Sequence, residues 1–223
     1  MFFLFIYSNY VSVFGIDNIW NFSLLNFMGG KFMSAGKLIL VDEQNEIIGY
    51  GKKLPVHIKG DLHRAFSIFI YNAETEKFLI QKRQFNKYHS GGLWSNSCCS
   101  HPYDGENFED SIKRCIKNEL NFDLDITPSD KKNVWNTDLG KIYYTGVFKY
   151  FSDYGDIKEH EIDNVYLYVI KQNIDFQFNK DEICELKWLS INEINQLLTR
   201  KNYFTSWFTS SYKIVLDFIK DMN

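Results

Sequence analysis

The sequence predicts a single α/β domain. Short segments with strand-like patterning recur along the chain, and an amphipathic helix separates two groups of them. Neither an internal repeat nor a linker-like stretch divides the chain. Its 223 residues suit one large domain that buries most of the surface exposed in the unfolded state.

The first half is predicted to be mostly β. Residues 38–41 and 47–50 flank a polar turn, which is typical of a hairpin. Residues 65–71 alternate in a pattern that predicts a strand, and the turn 73–76 predicts that it pairs with residues 77–83.

A helix is predicted over residues 108–120. Its apolar side chains, among them Phe108, Ile112 and Ile116, recur at the spacing that one helix face requires. Asn107 is a suitable N-cap. Further strands are predicted over 141–151, 162–170 and 183–188, followed by a short helix that Ser190 and Glu193 open as a capping box and a closing helix over 212–222.

The composition argues against several kinds of partner. With 25 Lys+Arg and 28 Asp+Glu, the net charge of −3 disfavours bulk attraction to nucleic acid or anionic lipid. The four cysteines include an adjacent pair and show no regular spacing, which favours free thiols in a reducing compartment. We therefore predict a cytoplasmic protein.

Residues 1–35 are predicted to be an extension outside the core, and residues 36–223 to form the domain. The apolar run at the start is interrupted from Ser8 onward, and the first basic residue is Lys31. A secretory signal needs an early positive charge, and a membrane span needs about 20 continuous apolar residues. The remaining alternatives are upstream sequence before a start at Met33 and a degenerate membrane anchor.

Residues 94–102, with the sequence WSNSCCSHP, concentrate small polar side chains, two thiols and an imidazole between a predicted strand and the main helix. Segments in such positions commonly carry function. By itself this segment is equally compatible with inert buried thiols at Cys98 and Cys99 and a structural histidine at His101.

Two carboxylates, Glu159 and Glu161, are predicted to share one strand face because side chains alternate along a strand. Adjacent carboxylates repel each other unless a cation or a shared proton compensates, although a solvated strand edge is the simpler explanation for the pair alone. With His57, His63 and His101 they form a nitrogen and oxygen ligand set suited to Zn²⁺, Mn²⁺ or Mg²⁺.

Other charged residues suit phosphate chemistry. Glu119 borders the apolar stripe of the helix, where it forms either a structural ion pair or a ligand for Mg²⁺ that carries a diphosphate. Lys53, Arg83 and Lys87 lie near the same elements and suit phosphate oxygens, although each alone is an ordinary surface charge.

Together, the two histidines at 57 and 63, the 94–102 segment and the sequence EHE at 159–161 resemble the type I isopentenyl diphosphate isomerases. The resemblance extends from about residue 38 to residue 207. It implies a Nudix fold, in which a mixed β-sheet is sandwiched between helices. It also implies an enzyme of isoprenoid biosynthesis that reversibly converts isopentenyl to dimethylallyl diphosphate.

The resemblance further implies the site. Cys99 and Glu161 would transfer protons from opposite faces of the substrate with the help of Tyr150, and Trp207 would face the carbocation. Lys53, Arg83 and Lys87 would bind the diphosphate of a prenyl substrate, and the protein would be a monomer or weak dimer without nucleic-acid or membrane partners. Mg²⁺ would bind through Glu119 and the substrate diphosphate, and Mn²⁺, Zn²⁺ or Mg²⁺ would bind through His57, His63, His101, Glu159 and Glu161.

The Nudix signature is only partly present, and a Nudix-type diphosphate hydrolase would need the missing glutamates to hold its metals and activate water. The sequence therefore opposes the alternative of such a hydrolase. A third hypothesis is a metal-stabilised binding module without turnover. At Cys115 bacterial isomerases often have an arginine, so one diphosphate contact is in question. When the signature is aligned from Ser100, this sequence keeps the signature residues at Glu106, Arg114, Ile116 and Glu119. It differs from the signature at Ser100, Cys115, Asn118, Asn121 and Phe122.

Overall fold

A computed structural model describes residues 36–222, so the predicted extension lies outside the described residues. Within that range, none of the helices has the length and apolar character needed to cross a membrane.

Eleven strands of the described residues form one sheet. A central strand, β3, pairs in parallel with β10 along one edge, and with β1, β6 and β4 in turn along its other edge. The strands are β1 (Leu38–Val41), β2 (Ile47–Gly51), β3 (His63–Asn72), β4 (Lys77–Arg83), β5 (Trp94–Ser95), β6 (Cys98–Ser100), β7 (Thr127–Pro128), β8 (Val134–Asn136), β9 (Gly140–Asp153), β10 (Lys158–Ile170) and β11 (Ile183–Ser190).

Helices cover both faces of the sheet. On one face, α2 packs against alternate side chains of β3 and β10, such as Ile68 and Tyr168. On the other face, α3 and α4 pack against the intervening side chains, such as Phe69 and Leu167. The helices are α1 (Lys53–Lys59), α2 (Phe108–Leu120), α3 (Ile191–Leu198) and α4 (Phe208–Met222).

The predicted bounds of α2 are confirmed, and Asn107 Oδ1 accepts a hydrogen bond from the Asp110 N–H at 2.8 Å. The capping box that opens α3 is also present.

Three local predictions were wrong or incomplete. Helix α4 begins at Phe208, one turn earlier than residue 212, because Phe208 and Tyr212 both belong to its buried face.

Helix α1 was not predicted, and His57 lies on it. Its sequence contains Pro55, which usually ends a helix. Here Pro55 falls in the first turn, where the missing N–H has no partner to lose. The predicted hairpin of β3 and β4 is also shorter than expected, since only Ile70, Tyr71 and Asn72 pair with β4. Beyond them, β6 takes the place beside β3 and β5 takes the place beside β4.

The contact of α2 with the sheet dominates one half of the core, so we expect Ile116→Ala to lower the free energy of unfolding by roughly 2–5 kcal/mol. Ile116 is fully buried in the cluster that α2 forms with β3 and β10. Urea denaturation measures the loss. Lys117→Ala on the exposed side of the same helix is the control, and its change should stay below about 1 kcal/mol. Equal losses in both variants would contradict this account of the packing.

Candidate active site and metal centre

A cavity of about 220 Å³ contains most of the residues singled out in the sequence. They come from β4, β6, β9 and β10, from α1 and α2, and from three irregular segments: one after β4, one after β6 and one before α4. His57 and His63 do not line the cavity but belong to the cluster at its wall. The predicted site residues that line it are Lys53, Arg83, Lys87, Cys99, His101, Glu119, Tyr150, Glu159, Glu161 and Trp207.

Five buried side chains form the cluster, and their ligand atoms all lie within 4.8 Å of one another. Glu161 stands beside His63 in the parallel register of β10 and β3. Glu159, two residues earlier on β10, faces the same way, as predicted from strand alternation. This group can hold a metal ion, and it consists of His57, His63, His101, Glu159 and Glu161.

The hydrogen bonds of two histidines support a metal in this cluster. Nδ1 of His57 lies 2.7 Å from the Lys53 carbonyl, and Nδ1 of His63 lies 2.8 Å from the Asp61 carbonyl. Because a carbonyl only accepts, each Nδ1 carries a proton, and in the neutral imidazole each Nε2 presents a lone pair. Both Nε2 atoms are buried without a hydrogen-bond partner among the described residues.

These lone pairs face carboxylates. His57 Nε2 lies 3.4 Å from Glu159 Oε1, and His63 Nε2 lies 3.5 Å from Glu161 Oε1. Two acceptors that face each other in a buried site are stabilised by a cation between them. The donor set therefore fits a divalent metal ion.

The protonation states also suit metal binding. Burial lowers the pKa of His101 to about 3, so its imidazole is neutral at pH 7. Burial alone would raise the pKa of Glu161, yet the hydrogen bond with His101 and the nearby His63 imidazole hold that pKa well below its usual range. Glu161 is therefore a carboxylate at neutral pH, and its Oε1 lies 2.8 Å from His101 Nε2.

Glu161 also connects the cluster to the cavity. The Tyr150 hydroxyl donates a hydrogen bond to Glu161 Oε2 at 2.6 Å, and the two residues are register partners on β9 and β10. Burial and the nearby Glu161 charge raise the pKa of Tyr150 well above its usual range, so Tyr150 keeps its proton.

Cys99 approaches from the other side of β3. Its strand, β6, pairs with the edge of β3 opposite to the one that β10 occupies, and Cys99 stands opposite Ser67. Burial and the Glu119 charge raise the pKa of Cys99 well above its usual range, so Cys99 is a thiol at neutral pH. A protonated thiol and an ionised carboxylate thus line one cavity.

Glu119 lines a third part of the cavity. Gln81 Nε2 donates a hydrogen bond to Glu119 Oε2 at 2.8 Å, and the Cys115 thiol lies 3.6 Å from Oε1. Burial, together with the charge of Glu182, raises the pKa of Glu119 to about 7. Lys87 forms an ion pair with Glu182, so the cation predicted to bind phosphate already has a carboxylate partner.

Trp207 presents its ring to the cavity in a fixed orientation. The indole Nε1–H donates to Asn96 Oδ1 at 3.0 Å, and the side chain is buried. The Arg83 guanidinium lies 5.4 Å from the ring centroid, and the Tyr150 ring lies 6.2 Å away.

Sequence reasoning missed two residues of this site. His89 Nε2 lies 2.6 Å from Glu159 Oε1, and nothing in the irregular segment around His89 indicated this contact. Asp163 is buried on the same face of β10 as Glu161 and accepts a hydrogen bond from the Ser67 hydroxyl at 2.7 Å. Strand alternation from Glu161 was the available signal for Asp163.

Comparison with known proteins identifies the class to which this chain belongs. A family model described as the NUDIX domain matches residues 61–208. A solved structure of a Deinococcus radiodurans protein superposes with a TM-score of 0.59 at 17% identity, and the match covers 80% of this chain and 96% of that one, which supports the fold. The fold and the site thus define a protein of the Nudix class.

Curated relatives give a narrower assignment. "Isopentenyl-diphosphate Delta-isomerase" of Pectobacterium atrosepticum is 34% identical over 187 residues, which cover 83% of this chain and 94% of the relative. The protein of the same name from Aliivibrio fischeri is 34% identical over 190 residues, with 83% and 98% covered. The chain belongs to the isopentenyl-diphosphate Delta-isomerase family.

Proposed function

We propose that this protein reversibly converts isopentenyl diphosphate to dimethylallyl diphosphate, with Cys99 and Glu161 as the two proton-transfer groups. One observation carries the proposal: a thiol and a carboxylate held in opposite protonation states line the same cavity from the two sides of β3. The family membership of the chain supports the same reaction.

The reaction adds a proton to an unactivated alkene and removes another from the carbon across the cationic centre. Alkenes are weak bases, so the acid must be well placed and the site must exclude water. One proton-transfer group must start protonated and the other ionised, and the two exchange these states during turnover. Cys99 and Glu161 satisfy this requirement, and Tyr150 can pass a proton to or from Glu161 through their hydrogen bond.

The intermediate would be a tertiary carbocation, and Trp207 is the aromatic residue proposed to stabilise it. An aromatic face stabilises a desolvated cation by about 2 kcal/mol or more. Because Asn96 fixes the indole, this interaction needs no reorganisation when charge develops.

Metal ions complete the proposal. When bound, they would neutralise the diphosphate charge and tune the acidity of Glu161. The cluster of three histidines and two glutamates would hold Mn²⁺, Zn²⁺ or Mg²⁺, and Glu119 would bind Mg²⁺ together with the substrate diphosphate. Lys53, Arg83 and Lys87 line the cavity and would contact the phosphate oxygens, which requires Lys87 to leave Glu182 or to share its charge.

Incubation with isopentenyl diphosphate and Mg²⁺ tests the proposal. We expect an allylic product, detected by its lability in acid, without release of phosphate or pyrophosphate. Release of either would favour a Nudix-type hydrolase. Ligand binding without any turnover would favour a binding module.

The pKa of Glu119 makes Mg²⁺ dependence sensitive to pH. Below pH 7 a proton occupies the carboxyl group and competes with Mg²⁺, and above pH 7 the carboxylate is free. The apparent Mg²⁺ affinity should therefore rise about tenfold from pH 6 to pH 8 and then level off, because competition by one proton weakens binding by the factor 1 + [H⁺]/Ka. Mg²⁺ titrations of the activity at several pH values measure this rise. The same rise in Glu119→Gln would assign it to another group.

We also propose that the enzyme is a cytoplasmic monomer or weak dimer. All four cysteines are free thiols, as a reducing compartment requires. Size-exclusion chromatography coupled to light scattering tests the oligomeric state.

A further inference from the structure

His89 contacts the metal-binding cluster from outside. Its Nε2 lies 2.6 Å from Oε1 of Glu159, although His89 is not one of the five clustered ligands. The side chain is 8% exposed and lies in the irregular segment between β4 and β5. Two lone pairs this close would repel each other, so a proton lies between the nitrogen and the oxygen. The contact therefore restrains one oxygen of a cluster carboxylate.

The other ring nitrogen of His89 is also held. Nδ1 lies 3.2 Å from the Ser90 hydroxyl oxygen, and the Ser90 hydroxyl donates to the Tyr154 hydroxyl oxygen at 3.2 Å. The Tyr154 hydroxyl lies 2.9 Å from Oγ of Ser206, the residue before Trp207. These contacts connect the segment of His89 to the end of β9 and to the segment before α4.

Two aromatic rings fix the plane of the imidazole. The Tyr154 ring stacks on it at a centroid distance of 4.8 Å and an angle of 24°, and the Trp207 ring meets it edge-on at 5.9 Å. The next residue, Ser90, has a φ of 52°, in the left-handed region that residues with a side chain seldom adopt. Such a conformation persists where the surrounding contacts impose it. His89 is therefore held at both nitrogens and at its ring.

The contacts of its nitrogens distinguish His89 from the histidines of the cluster. Within residues 36–222, Nε2 of His57 and Nε2 of His63 have no hydrogen-bond partner, as a metal ligand requires. His89 instead directs both of its nitrogens to oxygen atoms of the protein. Carboxylates that bind metals are usually oriented by such contacts with residues outside the ligand set.

We propose that His89 is a positioning residue of the metal centre, which holds the Glu159 carboxylate in the orientation that the metal ion requires. Without His89, the carboxylate would rotate among several orientations, and the metal ion would bind more weakly. This inference rests on the proposed metal centre and adds a residue outside its five ligands.

Titration of the full chain with Co²⁺ alone, followed by the visible absorption of the bound ion, tests this proposal. We expect His89→Ala to bind Co²⁺ about 10–100-fold more weakly than the unmodified chain, the range for residues that orient a metal ligand. His160→Ala is the matched control, because His160 lies on the other face of β10 and its Nδ1 contacts the Gly60 carbonyl. This control should bind Co²⁺ like the unmodified chain.

A second background separates positioning from a general effect on the structure. If His89 acts through Glu159, then adding His89→Ala to Glu159→Ala should weaken Co²⁺ binding by less than about twofold, because the carboxylate to be oriented is already absent. A loss as large as that in the unmodified chain would overturn the proposal, since His89 would then act independently of Glu159.

The remaining outcomes distinguish His89 from the metal centre itself. Unchanged Co²⁺ affinity in His89→Ala would overturn the role of His89 and leave the metal centre intact. Absence of saturable Co²⁺ binding by the unmodified chain would overturn both, and the turnover of isopentenyl diphosphate tests the proposed reaction separately.

Should His89→Ala fail to fold by circular dichroism, His89→Gln and His89→Asn decide. Glutamine places its amide nitrogen near the position of Nε2, whereas the shorter asparagine does not reach Glu159. Weaker Co²⁺ binding by His89→Asn than by His89→Gln would support the proposal. Equal affinity of the two variants would overturn it.

Discussion

Replacing Cys99 by alanine is expected to lower kcat by roughly 10²–10⁴-fold, the range that a positioned proton-transfer group contributes. The variant removes the thiol from the β6 side of the cavity and leaves the charged groups in place. Binding of the prenyl diphosphate should therefore change little. Rates of allylic product formation measure kcat, and calorimetry with isopentenyl diphosphate and Mg²⁺ measures binding.

Cys184→Ala is the matched control for Cys99→Ala. Cys184 is a free thiol that does not line the cavity, and its Sγ lies 3.6 Å from the Arg83 carbonyl. This variant should keep normal turnover. Near-normal turnover in Cys99→Ala as well would remove the thiol from the reaction and would leave the binding of substrate as its only possible contribution.

Glu161→Gln should cause a loss of similar size, with a second consequence that distinguishes it from Cys99→Ala. The amide cannot take up a proton, and it removes one negative charge from the cluster, so turnover should fall roughly 10²–10⁴-fold. Metal affinity should also fall by at least about tenfold. Kinetics with saturating metal and a metal titration followed by thermal unfolding separate the two losses.

Glu159→Gln is the matched control in the same strand. Glu159 belongs to the cluster but is not a proposed proton-transfer group, and it contacts His57 and His89. Its variant should lose metal affinity and regain much of its activity when metal is in excess. If excess metal restores Glu161→Gln equally well, then Glu161 acts only as a ligand.

The catalytic segments were recognisable from sequence because their chemistry is concentrated locally. Residues 94–102 carry the thiols and His101 together, and two-residue spacing alone placed Glu159 and Glu161 on one face. The contact of His89 with Glu159 was not predictable, since 70 positions separate the two residues and His89 lies in an irregular segment. Helix α1 was missed because a proline usually indicates the end of a helix. Pro55 lies in the first turn of α1, where a proline is tolerated.

The roles of the pocket residues depend on environment rather than on residue type. No sequence pattern indicates that Glu119 has a pKa of about 7, or that Glu161 has a pKa well below its usual range. Burial is the largest cause at Glu119 and raises its pKa, whereas at Glu161 the hydrogen bond with His101 and the nearby His63 outweigh burial.

The sequence by itself determined the fold class, the apolar face of α2, and the set of thiol, imidazole and carboxylate groups, because these follow from short-range periodicity and residue chemistry. Tertiary structure alone decided that β10 and β6 flank β3 on opposite edges, which brings Glu161 and Cys99 to one cavity. It also decided which histidine nitrogens present lone pairs, since backbone carbonyls at Lys53 and Asp61 hold the other protons. Strand order and hydrogen-bond partners between distant residues are set by packing of the whole chain, and local patterns do not encode them.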